Sequence, residues 1–474
     1  MIPIKPFVRH EEQCPHCGGK VRGGEVLWQG IHVCVSTACE GCGREYLEDM
    51  RVGHATYSPY RVEMPDYILT GDAKSRKWLG EPLRQSLMNP SYDLAVGMTV
   101  HKMKASTRVI IVNTMDYLYG HALLKLLNVQ REYEQSPDLG IIVIVQKSLE
   151  WMVPAYVSEI WTVDVPFSRA RNFYPVLHHR MIEELMRFDE VYVSPAYSHP
   201  NQFDIEQFTG VSRYDEGRES EPRITFVWRE DRLWSGSHHI ARAVQKFPQL
   251  KRGLKPLIYH QRSKIIRLFR RLRESFPDHR FTVAGLGRTG SFPAWISDER
   301  VTRFDRESEL RVCEVYAASR LVIGIHGSNM LLPSAHAGMT IDLMPKDRWG
   351  NYAQDILFHE TDHRLTAYKY RFVPMESSVT LVADMAAAQL KGADHFNMQM
   401  TEERQRQGEH SVWRGGRLLR DGFDLPIAVD ERFPRLNRPC KRAESLVKGE
   451  RYASPDSNPT LRYPPPPKRI SPSP

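Results

Sequence analysis

The chain has 474 residues, 41% of them hydrophobic and 26% charged, and a mean hydropathy of −0.46. That length exceeds what one core organises and points to two or three domains, while no apolar run approaches the roughly 20 residues that cross a bilayer. About half of the net charge of +8 lies at the end, where residues 441–474 hold seven basic against three acidic side chains, so the body is only mildly basic and nucleic acid is not the expected partner.

Residues 1–10 carry no apolar signal-peptide core, and the expected setting is cytoplasmic. Five of the seven cysteines fall between residues 14 and 42. Cys14-Pro-His-Cys17-Gly and Cys39-Glu-Gly-Cys42-Gly are twin CxxC-Gly knuckles separated by 21 residues, the pattern of a tetrahedral four-cysteine site. Residues 1–50 are read as a small β-rich zinc ribbon with Cys14, Cys17, Cys39 and Cys42 on a structural Zn2+, since four thiolates leave no open catalytic position. Disulfides are the lesser reading in a cytoplasmic chain. Cys34 either replaces one ligand or is a buried strand cysteine. Residues 51–106 look irregular and are assigned as a connector without chemistry.

From residue 107 the pattern becomes regular. Residues 108–113, 140–145, 159–164 and 190–194 are short β-branched runs, alternating with helical stretches over 122–129 and 174–187. This is an α/β reading with a parallel sheet and crossover helices, one Rossmann-like half over 107–210. Its strand ends carry Asn113, Asp116 and His121. After a polar hinge at 211–222, a second half over 222–390 starts with strand Arg223–Trp228, followed by Arg229 and Arg232. Guanidinium forks match diphosphate oxygens, and the alternative is a solvated charged loop. An amphipathic helix covers 261–276, and strand 280–284 leads into Gly285-Leu-Gly287-Arg-Thr-Gly290, which resembles a phosphate loop but lacks the helix of a dinucleotide fingerprint.

The stretch 313–347 organises the second half. A helix over 308–319 precedes a buried strand, residues 321–325, and the strand ends in His326-Gly327-Ser328-Asn329. A strand delivering such a turn to the start of an apolar helix makes an anion site from backbone N–H groups. Residues 349–355 are read as a segment that closes over a donor, and 377–390 as a late helix. From 403 onward periodicity is lost. The extension 403–474 is expected to be irregular to disordered, ending in a polyproline-like stretch, residues 462–474.

The segment 313–347 resembles the donor-side signature of glycosyltransferase family 61. There a helix ending in Ala-x-x-x-Val-Ile-Gly leads to a His-Gly turn, an apolar helix, and a strand ending in an acidic residue and a proline, here Asp342 and Pro345. The resemblance covers about 107–390. It implies a GT-B-type fold of two Rossmann-like halves and transfer of a sugar, with inversion, from a nucleotide-sugar donor, UDP-linked in this family, to a hydroxyl of a glycan or similar acceptor. It further implies that protein groups rather than a catalytic metal neutralise the diphosphate. The donor side falls on Arg229, Arg232, Gly287, His326, Gly327, Ser328 and Asn329. Tyr119-Gly-His121-Ala-Leu-Leu resembles the family's acceptor-side helix, and Asp116 and His121 are the candidate bases, with a capping or core role as the alternative for His121. The turn departs from the family in reading His-Gly-Ser-Asn where small residues are usual, and the ribbon lies outside the common pattern. Two other readings stay open: a zinc-ribbon nucleic-acid-binding or nucleotide-processing protein, marked by a face uniting Arg22, Trp28 and Arg44, and an inactive GT-B scaffold acting as an interaction module. Oligomeric state is unassigned.

Overall fold

The computed structural model describes residues 1–399 apart from 11, 94, 202, 217–220, 235–254, 354–355 and 358–361, and beyond them 411–414, 417–420 and 423–425. Contacts divide the chain into Met1–Gln407 and Gly408–Pro474.

The first unit opens in its main sheet. Strand β1 (Ile2–Lys5) pairs antiparallel with a later strand, and the chain then leaves to form an antiparallel sheet of β2 (Val21–Trp28), β3 (Val33–Cys39), β4 (Glu45–Asp49), β5 (Tyr60–Met64) and β6 (Ile68–Gly71). Helix α1 (Glu81–Met88) follows, and β7 (Met98–Lys102) returns to the main sheet as its opposite edge. The β-rich part is therefore an insertion between two edge strands. This corrects the expected boundary at residue 50: β4 pairs with β5 from Glu45↔Met64 to Glu48↔Arg61, so the sheet runs through the presumed connector.

The first Rossmann-like half has the order β1-β11-β8-β9-β10-β7, with β8 (Arg108–Asn113), β9 (Gly140–Gln146), β10 (Glu159–Val163) and β11 (Glu190–Val193) parallel. Every residue of β9 is buried, as expected of a strand covered on both faces. Helices α2 (Tyr119–Leu126), α3 (Asn128–Gln135) and α4 (Pro175–Leu185) pack on this sheet, and α5 (Ile205–Thr209) closes the half. The strand order reverses at β8: β9 lies on one side of it and β11 on the other.

The second half is a fully parallel sheet, β14-β13-β12-β15-β16-β17. Its strands are β12 (Arg223–Trp228), β13 (Arg280–Leu286), β14 (Ile296–Val301), β15 (Ser319–Ile325), β16 (Thr340–Met344) and β17 (Tyr370–Pro374). Alternation along β12 sorts its faces. Ile224, Phe226 and Trp228 join the core with α6 (Lys255–Ser275) and α10 (Val379–Gln399), while Val227 faces the core with α7 (Arg306–Ala317). Helix α8 (Leu331–His336) follows the 328–330 turn, and α9 (His363–Lys369) precedes β17. Cys313 of α7 and Leu331, Leu332 and Ala335 of α8 belong to the first half's core, so one apolar contact joins the halves.

The second unit contains three antiparallel strands, β18 (Ser411–Arg414), β19 (Arg417–Arg420) and β20 (Phe423–Leu425). These strands lie within the extension expected to be irregular from 403, the rest of which is outside the described residues. The polyproline-like end lies outside the described residues, as do positions 354–355 of the segment expected to close over a donor. No helix among the described residues is long and apolar enough to cross a membrane.

Candidate active site between the two halves

In the second half the order reverses at β12, with β13 on one side and β15 on the other. The carboxyl ends flanking such a reversal diverge and leave a crevice. Arg229 and Arg232, just past β12, reach across it to the turn after β15. Arg232 donates from Nη1 to the carbonyl of His326, and Arg229 donates from Nη1 to Asn329 Oδ1 and, at 3.4 Å, to the same carbonyl. Gly327 has φ +140, and a Cβ there would lie 2.9 Å from Arg229 Nη1 and 3.1 Å from Arg232 Nη1. A glycine is needed at this position for both the backbone conformation and the close approach of two cations.

Arg229 is paired with Asp231, its Nη2 2.5 Å from Oδ2. Arg232 makes no ion pair among the described residues, and burial, followed by repulsion from Arg229 and Arg348, pulls its guanidinium down to about 10. The side-chain amide nitrogen of Asn329 is buried without an acceptor. A cation lowered by its like neighbours, beside an unused donor, favours an anion.

Two of the expected donor residues, His326 and Gly287, are also held by bonds within the chain. The His326 ring is 2% exposed, with Nδ1 3.0 Å from Asp342 Oδ2, which also accepts from the Tyr370 hydroxyl at 3.0 Å. Its backbone carbonyl meets the arginines. Gly287 has φ +110, and its N–H donates to the Val301 carbonyl at 2.8 Å. Its loop is tied to Glu230, which accepts from the Thr289 N–H and hydroxyl and from Trp228 Nε1. This loop fixes the residue beside Arg229, and its N–H groups at 287 and 289 are already used.

In the first half, Asp116 follows β8 at the corresponding reversal and is fully buried. Its Oδ1 accepts from the N–H groups of Tyr117 at 2.8 Å and Leu118 at 3.2 Å, and lies 3.4 Å from His121 Nδ1. Its Oδ2 lies 3.1 Å from His54 Nε2 and 2.9 Å from Lys125 Nζ. Burial alone would raise this carboxyl, but Lys125, His121 and His54 outweigh it and hold it well below the carboxylate range. Burial lowers His54 to about 4, so its ring is neutral and serves as a donor to the carboxylate. His121 is the exposed member, at 27% of its side chain.

Sequence reasoning missed His54 and Lys125. His54 comes from the presumed connector, in the 3-10 turn Gly53–Thr56 between β4 and β5. Gly53, at φ +60, fits against the Lys125 stem, where a Cβ would sit 2.9 Å from Cε. Spacing offered no clue to His54, because it meets Asp116 only through the folded insertion. Lys125 was legible as the residue one turn after His121. His54, Asp116 and His121 lie close enough to hold a metal ion. The Lys125 ammonium already supplies the counter-cation there, and a second cation beside it would be repelled.

The clusters meet at one point. Gly120 lies against the 326–329 turn, and a Cβ on it would be 2.5 Å from Ser328 Cβ and 3.1 Å from Leu331 Cδ1. The residue after it is His121.

The four knuckle cysteines also come together, with all sulfurs within 4.8 Å of one another, Cys14–Cys42 at 3.7 Å and Cys17–Cys39 at 3.4 Å. Thiolates on tetrahedral zinc stand about 3.8 Å apart, given Zn–S of about 2.3 Å. The knuckles are twins in backbone as well: Gly18 (φ +71) donates to the Cys14 carbonyl and Gly43 (φ +72) to that of Cys39, each at 2.9 Å. The donor set fits structural zinc. Cys34 stands apart, buried in β3 within the separate cluster that includes Tyr60 and Leu83. The face expected of a nucleic-acid-binding ribbon does not form: Trp28 is buried in the core of the first half, and Arg44 pairs with Glu63.

No protein-family model and no curated protein matches the chain. Among solved structures it is similar to the E. coli heptosyltransferase WaaC with ADP, at 12% identity and TM-score 0.36, covering 60% of this chain and 99% of that one. It is also similar to E. coli ADP-heptose lps heptosyltransferase II, at 10% identity and TM-score 0.35 with the same coverage, and to the glycosyltransferase SnogD from Streptomyces nogalater, at 11% identity and TM-score 0.19, covering 60% and 76%.

Proposed function

We propose that the chain is a GT-B-type glycosyltransferase, moving a sugar from a nucleotide-sugar donor to a hydroxyl of a glycan or similar acceptor with inversion. The observation that carries this reading is the contact of Gly120 with Ser328, which puts a histidine–aspartate pair beside an arginine-lined turn at a strand-order reversal.

In this reading Arg229, Arg232 and the Asn329 amide receive the donor diphosphate, whose charge grows as the sugar–phosphate bond breaks. Arg232 is available for this because no carboxylate pairs with it among the described residues. The acceptor hydroxyl gives its proton to His121 Nε2 as its oxygen attacks the anomeric carbon from the face opposite the leaving diphosphate. Asp116, whose Oδ1 lies 3.4 Å from Nδ1, stabilises the imidazolium by its charge. It is not the base, since five groups surround its oxygens and its proton affinity is low. Lys125 and neutral His54 keep that carboxylate ionised in a buried place. A family 61 origin rests on the 313–347 motif, and a UDP donor follows from it. Structural zinc on Cys14, Cys17, Cys39 and Cys42 would fix the tip of the insertion that delivers His54.

Nucleotide release from a panel of UDP-, GDP-, CMP- and ADP-sugars tests the reading. Wild type should release one nucleotide in an acceptor-dependent manner, and His121→Ala should not. Release independent of His121, or from no donor in the presence of a broad glycan panel, would count against it.

A further inference from the structure

We infer that the acceptor carries an anionic group, a carboxylate or phosphate, recognised by Arg171 beside an aromatic wall that the β-rich insertion helps to build. This rests on the transferase reading and concerns the same cleft. Arg171 stands over the Tyr117 ring with its guanidinium carbon 3.6 Å from the centroid, and the Tyr117 ring packs edge-on to His121 at 6.2 Å. The cation is thus one aromatic ring away from the proposed base.

Neighbouring arginines on this side are neutralised. Arg169 pairs with Asp93 at 2.6 Å, Arg76 with Glu81 at 3.1 Å and Arg84 with the same Glu81 at 2.9 Å. Arg171 has no carboxylate partner among the described residues, and its Nε is buried without an acceptor. The Gln29 amide holds its backbone carbonyl at 2.8 Å, so β2 and the turn after it fix the segment. Trp78, from the stretch between β6 and α1, is 36% exposed and packs edge-on to His54 at 5.1 Å. Gln29, Trp78, Tyr117 and Arg171 line one small cavity.

A pyranose ring is about as broad as an aromatic ring. A sugar stacked on Trp78 with its hydroxyl at His121 would bring a substituent across the ring, or on the next sugar, to Arg171. A cation held against an aromatic ring with no carboxylate partner among the described residues is complementary to an anion that arrives with the substrate. The insertion would then be an acceptor-recognition module, supplying Trp78 and bracing Arg171.

Saturation-transfer NMR with the full chain tests this, using methyl β-glucuronide, methyl β-glucoside and glucose 6-phosphate, each with and without UDP. At least one charged sugar should bind about 10-fold more tightly than the neutral one, the scale of a hydrogen bond to a charged group. Arg171→Gln should abolish that preference and Arg171→Lys retain part of it. Trp78→Ala should weaken charged and neutral sugars alike, because stacking is indifferent to charge. Equal binding of all three sugars by wild type, or a preference that survives Arg171→Gln, overturns the inference. The UDP-induced melting shift on the same samples keeps the two readings apart. Anion preference without nucleotide binding would sink the donor reading alone, and nucleotide binding without anion preference would sink the anionic acceptor alone.

Discussion

Asp116 shows how a carboxylate can be both fully buried and ionised. Two backbone N–H groups, one ammonium and two imidazoles surround it, and each favours the charged form. Lys125 contributes the one full positive charge. Lys125→Met should therefore leave an uncompensated buried charge and cost about 3–5 kcal/mol, read as a lower denaturant midpoint at unchanged slope. His121→Ala should differ in kind: transfer should fall about 10²–10⁴-fold with the melting temperature and the nucleotide-induced shift preserved. Asp116 and His121 were legible in the sequence because they lie within one strand end and one helical turn. The surroundings that hold Asp116 ionised were not, since they depend on His54, 62 positions upstream, and on burial that no spacing encodes.

In the two Rossmann-like sheets, the strands that lie inside announced themselves and those at the edges did not. β8, β9 and β15 read as apolar runs because both faces are covered. β7 (Met-Thr-Val-His-Lys) and β14 (Ile-Ser-Asp-Glu-Arg-Val) are edge strands with polar faces, and their sequences look like loop. In the second unit, β18 and β19 are separated in sequence by Gly-Gly and β19 and β20 by Asp-Gly, hairpin dipeptides that offered a signal the loss of helical periodicity obscured. The His-Gly turn was legible as a candidate site, and the deeper position of the His326 ring follows from Asp342 on the neighbouring strand. Gly327→Ala should displace both guanidiniums and weaken nucleotide binding by more than about 10-fold, with little change in fold. Helix α7 adds a pH-dependent contact between the halves. Burial raises Glu309 to about 7, against the lowering effect of its bonds from Trp151 Nε1 at 3.0 Å and the Tyr119 hydroxyl at 3.3 Å. Its folded value lies above its unfolded one, so its contribution is complete below about pH 4.3 and is lost as pH rises toward 7. Wild type should accordingly lose stability relative to Glu309→Gln over that interval, by about 1.4 kcal/mol per pH unit at most. Parallel denaturation curves at pH 5, 6 and 7 would check the sign.

For the first unit as a whole, the insertion is the feature that sequence order concealed. Knuckle spacing revealed the metal-type cluster, but a linear reading placed the ribbon before the catalytic halves and assigned its continuation to a connector. β1 and β7 instead anchor it at both edges of the first half's sheet, and its turn at Gly53–Thr56 brings His54 to the buried Asp116 carboxylate. Metal analysis should find one zinc per chain in wild type and none in a Cys14→Ser/Cys39→Ser double variant. That variant should melt earlier and, through the loosened insertion, lose transfer more than nucleotide binding.

Thermal-shift titration with UDP, GDP, CMP and ADP, on wild type, Arg232→Ala and His121→Ala, tests the central claim most directly. The account predicts that one nucleotide raises the melting temperature of wild type and His121→Ala equally, and that Arg232→Ala abolishes the effect. A shift that survives Arg232→Ala, or no shift with any nucleotide, would contradict a donor site at the β12–β15 reversal.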